Sequence, residues 1–409
     1  MSARLALLAL LLLLLSACQS LPSQQDPAYQ PLLLISIDGL RPQERWFANT
    51  PNLDRLAQEG VHGAMQPVFP SYTFPNHYSL VTGLSPARHG IVANRMIDPR
   101  IDATFTLGNR EQVTNPFWWQ GEPIWITAER QGVKTAPVFW PGSEVAFDGT
   151  RPSFWEAYEH ERPYARRVND VLAKMALPPS QRPQMLSLYF SEVDSAGHDT
   201  GPGSADVITA LEDVDRHLGD LITGMQALGI YEQSHILVVS DHGMSALSPD
   251  RRIFIDDYVA LDQVNSSLLG PVAFLWPEAD DIEAVLSVLE NAHPAMRVLR
   301  SDDLPPDFGF RDNPRIPPLV GLSDDGWVIT HRDPDAPYHR ADGGAHGYDP
   351  RFSSMRASFI ARSPRLQAGK AVATFSLLDV YPLMAELLGI RPADHEGSLD
   401  AFEHVLRNR

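Results

Sequence analysis

Leu32-Leu33-Leu34-Ile35-Ser36-Ile37-Asp38-Gly39 is the stretch that decides the fold. A short apolar run that stops at Asp-Gly reads as a buried strand entering a turn. Similar runs occur at Thr135–Trp140, Met185–Phe190, His235–Ser240 and Ser358–Ala361. Helical patterns fall between them. Thr50-Pro51 opens one, with a capping hydroxyl and a proline at the first position, and Gly60 closes it. Others cover Glu122–Gln131, Ala205–Leu228 and Ser376–Leu388, the last stopped by Gly389. This alternation predicts an α/β fold, a mostly parallel sheet sandwiched between helices. Between Ser245 and Gly344 the rhythm breaks and prolines accumulate, as at Pro305-Pro306 and Pro317-Pro318. Strand-like runs at Val272–Trp276, Arg297–Leu299 and Trp327–Thr330 flank a helix at Ile282–Leu289, which predicts an inserted subdomain at about 245–342.

The chain has 409 residues, 44% of them hydrophobic, as a packed globular protein requires. Acidic residues outnumber basic ones 51 to 33, for a net charge of −18. That balance excludes general binding of long nucleic acid, while a small anion still fits if a local cation attracts it. One cysteine allows neither an internal disulfide nor a Cys-rich zinc module. It sits at Leu15-Ser16-Ala17-Cys18, after Arg4 and the apolar run Leu5–Leu15, and the pattern resembles a bacterial lipobox. A plain secretory signal is the alternative. The expectation is a signal peptide over 1–17, a polar tether over 18–30 and a catalytic domain over 31–409. The protein would then be exported to the bacterial periplasm or envelope and lipid-anchored through Cys18.

Open parallel sheets place their ligands at the carboxyl ends of strands. The first run ends in Asp38, the Met185–Phe190 run leads to Asp194 and His198, and the His235–Ser240 run ends in Asp241-His242. A glycine-flanked loop adds His346. Each residue alone has an ordinary structural explanation; their joint occurrence at strand ends is what points to chemistry. Three carboxylates with three imidazoles suit two zinc-type ions better than calcium or magnesium. In Pro70-Ser71-Tyr72-Thr73-Phe74-Pro75-Asn76-His77-Tyr78, Pro75 suits the first turn of a helix running to Thr82, with Gly83 as its stop. Thr73 is then expected just before a helix N-terminus, where an anion is favoured. Its hydroxyl needs activation, which a metal at Asp38, Asp241 and His242 would supply.

With these residues in view the sequence resembles the nucleotide pyrophosphatase/phosphodiesterase family of the alkaline phosphatase superfamily. The matching pieces are Ser36-Ile37-Asp38-Gly39, Thr50-Pro51-Asn52-Leu53, Thr73-Phe74-Pro75-Asn76-His77 and His89-Gly90-Ile91-Val92-Ala93-Asn94. Gly121-Glu122-Pro123-Ile124-Trp125, Asp194-Ser195-Ala196-Gly197-His198, Ser240-Asp241-His242-Gly243-Met244 and His346-Gly347-Tyr348 follow in the family's order. The resemblance implies one zinc on Asp38, Thr73, Asp241 and His242 and a second on Asp194, His198 and His346. It implies Thr73 as nucleophile, with Asn94 and the Phe74 N–H binding a phosphoryl oxygen. Phe74 and Tyr189 would sandwich a nucleobase, and Tyr158 would line the same slot. Val193, Ala196 and Trp118-Trp119-Gln120 depart from the commonest family residues, which bears on substrate preference.

The expected reaction is zinc-dependent hydrolysis of a nucleotide phosphodiester or pyrophosphate bond through a covalent phosphothreonine, releasing a nucleoside 5′-monophosphate. Asn94 offers a neutral amide rather than a guanidinium, which favours a diester over a monoester. The rival within the superfamily is a phosphodiesterase for phospholipid or choline-type substrates, since an aromatic slot also suits a quaternary ammonium. A rival from another class is a non-catalytic lipoprotein that binds metal or cell envelope.

Overall fold

A computed structural model describes residues 29–407. The signal segment, Cys18 and the tether up to residue 28 lie outside the described residues. Tyr29 is already part of the folded body: it is buried, and its hydroxyl donates to the Pro183 carbonyl at 2.8 Å.

The main sheet has eight strands. Its order is Lys370–Ala371, Val61–Gln66, Ala357–Arg362, His235–Val239, Leu32–Ile37, Met185–Phe190 and Thr135–Pro137, with Phe375–Ser376 also pairing to Val61–Gln66. Leu32–Ile37 lies at the centre and runs parallel to both neighbours. Side chains alternate between the two faces of a strand, and both faces here are covered. Leu32 and Leu34 enter one core, with the helices Thr73–Thr82, Ile124–Arg130 and Val380–Leu388. Leu33, Ile35 and Ile37 enter the other, under the helices Pro51–Glu59, Tyr164–Met175 and Ala205–Ala227. Burial on both faces is why the strand reads as continuous apolar sequence.

Several local expectations needed adjustment. Val61–Gln66 was not expected as a strand, because His62, Gly63 and Gln66 break the apolar pattern. Gly63 is there for space: a Cβ would come within 2.7 Å of the Val372 side chain. Ala357–Arg362 runs antiparallel to both neighbours, which its apolar composition does not reveal. Thr50 does not cap its helix. The first free N–H groups of that helix, on Asn52 and Leu53, are taken by the Asp215 carboxylate at 3.1 and 2.8 Å. Thr73 is the first residue of its helix rather than the residue before it, and Tyr72 occupies the cap.

A smaller antiparallel sheet has the order Ser266–Leu268, Val272–Leu275, Leu319–Ser323 and Met296–Arg300. Ala273 and Leu275 pack into its own core with the helix Ile282–Leu289, whereas Val272 and Phe274 face the main body. Ser245–Ala246 and Gly344–Ala345 pair as the stem on which this stretch leaves and returns. Among the described residues no helix is long and apolar enough to cross a membrane.

Candidate active site

The carboxyl ends of Leu32–Ile37, Met185–Phe190 and His235–Val239 converge at one point; the turns after the first and third deliver Asp38, Asp241 and His242 there, and the helix Glu192–Thr200 after the second delivers Asp194 from its first turn. Gly39 makes the convergence feasible. It adopts φ +68°, and a Cβ would stand 3.1 Å from Asp194. Its N–H donates to Asp241 Oδ1 at 3.2 Å. Asp38 Oδ1, Asp194 Oδ1 and Asp241 Oδ2 are buried with no hydrogen-bond partner. Three such acceptors in one place would each cost about 1–3 kcal/mol if left alone. Burial, reinforced by Asp241 and Asp194, raises Asp38 well above the ordinary carboxylate range. Burial also raises Asp194, against the attraction of His198 and His242. Asp241 goes the other way: burial pushes it up, but His242 and His77 outweigh that and hold it low.

The imidazoles share one arrangement. Nδ1 of His198 lies 2.9 Å from the Gly344 carbonyl, Nδ1 of His346 lies 3.0 Å from that of Ser71, and Nδ1 of His242 lies 2.9 Å from that of Gly243. A carbonyl only accepts, so each Nδ1 carries the proton and each Nε2 presents a bare lone pair, the tautomer of a metal ligand. His198 Nε2 and His346 Nε2 face each other at 3.1 Å. Two lone pairs at that distance repel unless a cation lies between or beside them. His242 Nε2 is 3.0 Å from Asp241 Oδ2 and 3.5 Å from Asp38 Oδ1, and its ring stacks on His346 at 3.6 Å. It therefore reaches both sets of ligands: those distances tie it to Asp241 and Asp38, whereas as a possible metal-binding group it clusters with Asp194 and His346. Unpartnered oxygens and bare imidazole nitrogens are the donor set that a pair of first-row divalent ions requires, so the residues fit the metal expectation.

Thr73 Oγ1 lies 3.3 Å from His242 Nε2, to which it can donate. Phe74 and Asn94 form one unit: the Phe74 N–H donates to Asn94 Oδ1 at 2.9 Å. With Phe74 N–H engaged, the Asn94 amide NH2 is the donor this pair can offer. Tyr189 does more than wall a slot, since its hydroxyl donates to Asp38 Oδ2 at 2.7 Å.

His77 belongs to the threonine motif. It groups spatially with Asp38 and Asp241 as a possible ligand. Both of its nitrogens are occupied, however. Nδ1 faces the Thr73 carbonyl at 2.9 Å and Asp241 Oδ2 at 3.2 Å, and Nε2 accepts from Ser36 Oγ at 2.7 Å. His77 thus fixes the first turn of the threonine helix and stands beside Asp241. Its place four residues after Thr73, on the same helix face, was the available signal.

A cavity of about 370 Å³ opens on Thr73, Asp38 and Asp194, and Phe74, Tyr158 and Tyr189 all line it. Tyr158 packs edge-on against both Tyr189 and Phe139. The strand ends at Pro137, short of the Trp140 its apolar run predicts, and Phe139 and Trp140 in the loop that follows add aromatic wall.

The model of the type I phosphodiesterase/nucleotide pyrophosphatase family matches residues 32–349. The chain belongs to that family. The family is one of hydrolases within the alkaline phosphatase superfamily. Mouse ectonucleotide pyrophosphatase/phosphodiesterase family member 1 is 37% identical to this phosphodiesterase-family chain over 407 residues, covering 95% of this chain and 44% of the relative. The venom phosphodiesterase of Macrovipera lebetinus is 35% identical over 407 residues, covering 96% and 47% respectively. The chain spans about half the length of the curated relatives it matches. Murine ectonucleotide pyrophosphatase/phosphodiesterase 5, solved as an inactive threonine-to-alanine form in complex with AMP, superposes with a TM-score of 0.87 at 30% identity. That match covers 92% of this chain and all of the other.

Proposed function

We propose that the protein hydrolyses nucleotide phosphodiester or pyrophosphate bonds with two zinc ions, through a covalent phosphothreonine on Thr73, releasing nucleoside 5′-monophosphates. The observation that carries this reading is the meeting of Thr73 Oγ1, three unpartnered carboxylate oxygens and three bare imidazole nitrogens, beside an aromatic-walled cavity that Thr73, Asp38 and Asp194 line. Asp38, Thr73, Asp241 and His242 would hold one ion, and Asp194, His198 and His346 the other. When bound, such ions supply the positive charge that draws an anionic diester into an acidic protein and polarises its P–O bonds. Thr73 Oγ1 forms the new bond to phosphorus as the bond to the leaving oxygen breaks, and water then cleaves the threonine ester. The Asn94 amide donates to a non-bridging oxygen. Phe74, Tyr158 and Tyr189 hold the base of the retained nucleotide. A structural relative solved with AMP, and inactivated by exchanging a threonine for alanine, supports both the ligand class and the nucleophile.

Export belongs to the same proposal, supported by relatives whose names describe ectoenzymes and venom enzymes, and attachment through Cys18 rests on the lipobox-like Leu15-Ser16-Ala17-Cys18. The deciding experiment compares the zinc-loaded protein on thymidine 5′-monophosphate p-nitrophenyl ester, p-nitrophenyl phosphorylcholine and p-nitrophenyl phosphate. The nucleotide diester should lead in kcat/KM by more than about tenfold, or about 1.4 kcal/mol. A lead for the choline ester would replace the nucleotide reading, and no turnover of any of the three would end the enzyme reading.

A further inference from the structure

Asn94 lies in the middle of segment 90–98, and a single side chain from far along the sequence holds both ends of that segment. Arg315 belongs to the proline-rich stretch before Leu319–Ser323 and is completely buried. Its Nη1 donates to the Gly90 carbonyl at 2.6 Å, and its Nε donates to Asp98 Oδ2 at 2.8 Å. Nη1 also donates to the Trp118 carbonyl at 2.6 Å, and Nη2 to that of Phe117 at 2.9 Å. Gly90 leaves the room this requires, since a Cβ there would stand 2.6 Å from Nη1. Asn313 adds a second grip just outside the segment. Its amide donates to the Ala87 carbonyl at 2.8 Å, while its Oδ1 accepts from the Arg315 N–H at 3.1 Å.

We propose that Arg315 is a positioning residue for phosphoryl binding: by clamping both ends of segment 90–98 it fixes the Asn94 amide relative to Thr73. The proposal rests on the phosphodiesterase reading and adds a residue to it. Asn94 Oδ1 accepts from the Phe74 N–H at 2.9 Å, so the amide is tied to the residue after the nucleophile. One hydrogen bond is a pivot. The clamp, together with the pairing of Arg95–Ile97 to Thr104–Thr106, removes the freedom to swing about it. A buried guanidinium is expensive to desolvate, and apolar side chains would fill the same space without that penalty. What the planar fork adds is direction, because it meets a carboxylate and three carbonyls at fixed angles, which a lysine ammonium cannot do. Direction matters here: a donor displaced by about 1 Å from developing charge can lose about 10²-fold in rate. The 245–342 stretch thereby gains a task, since the residue that steadies the donor comes from it.

The test compares kcat and KM on thymidine 5′-monophosphate p-nitrophenyl ester at saturating zinc. Arg315→Lys keeps a positive charge beside Asp98 but cannot hold both ends. Its kcat should fall about tenfold while KM stays within about threefold. Asn94→Ala should lower kcat about 10²-fold, as for loss of one donor to a developing oxyanion. The double-mutant cycle then decides between positioning and general structure. With the amide gone, Arg315→Lys should lower kcat by less than about a further twofold. A full tenfold loss in the Asn94→Ala background would overturn the proposal, as would an unchanged kcat for Arg315→Lys alone. Asp98→Asn loosens the other partner of the clamp and should show the same dependence on Asn94, should Arg315→Lys fold poorly. Calorimetry on the zinc-loaded protein reads the geometry without turnover. Orthovanadate, a five-coordinate mimic of the phosphoryl group in flight, should bind about tenfold more weakly to Arg315→Lys, and adenosine less than about twofold. Equal weakening of both ligands, or unchanged vanadate affinity, refutes the clamp. Absence of ester turnover by the parent protein would instead sink the phosphodiesterase reading.

Discussion

Replacing Tyr189 with phenylalanine separates two tasks that the structure assigns to one side chain. The ring lines the aromatic cavity, and the hydroxyl donates to Asp38 Oδ2 at 2.7 Å. The other oxygen of Asp38 has no donor, so the Tyr189 hydroxyl is what orients this buried carboxylate. A hydrogen bond to a charged group contributes about 1.5–3 kcal/mol, which converts to roughly 10- to 150-fold in an equilibrium constant. Tyr189→Phe should therefore weaken zinc binding at the Asp38 site by that factor, in line with the loss usual for an outer partner of a metal ligand. Zinc affinity would be read by competition with a chromogenic chelator. The KM for a nucleotide diester at saturating zinc should stay within about twofold, because the ring remains to stack on the base. Unchanged zinc affinity together with a raised KM would refute the reasoning and reduce Tyr189 to a wall of the slot.

Thr73→Ala should abolish turnover, by at least about 10⁴-fold in kcat, while changing unfolding free energy by less than about 1 kcal/mol, since it removes one half-buried hydroxyl. Turnover retained by Thr73→Ala would remove Thr73 as the nucleophile. Chelation should stop hydrolysis and zinc restore it. Thermal unfolding should gain about 2.7 kcal/mol per ion at free zinc of one hundred times Kd, and identical curves with and without zinc would count against the metal centre. Acid should destabilise the fold through two buried imidazoles away from the cluster. Burial lowers His89 to about 3, and burial with Arg365 and Arg362 lowers His235 to about 4, from an ordinary 6.5. These residues take up a proton when unfolded but not when folded. Their stabilisation is thus complete above about pH 6.5 and is lost as pH falls toward 4, at about 2 kcal/mol each by pH 5. Urea unfolding at pH 7 and pH 5 checks this, and His235→Gln should remove about half of the difference.

The sequence by itself determined the sheet and its chemistry-bearing edge. Leu32–Ile37 and Met185–Phe190 were legible because strands buried on both faces need continuous apolar residues, a strictly local property. The placing of Asp38, Asp194 and Asp241 just past strand ends followed from the ends of those runs, although Asp194 sits in the first turn of a helix. Other features were beyond local reading. Asp215 caps a helix 162 residues away, His77 reaches Asp241 and Ser36 from another element, and Tyr189 binds Asp38 across 151 residues. The direction of Ala357–Arg362 and the hold of Arg315 on Gly90 and Asp98 were equally hidden. Apolar spacing records which face of an element is buried, and it is written within a dozen residues. Which polar atom meets which is settled only when distant segments pack, because a hydroxyl, an imidazole or a guanidinium carries no mark of its partner until desolvation forces it to find one.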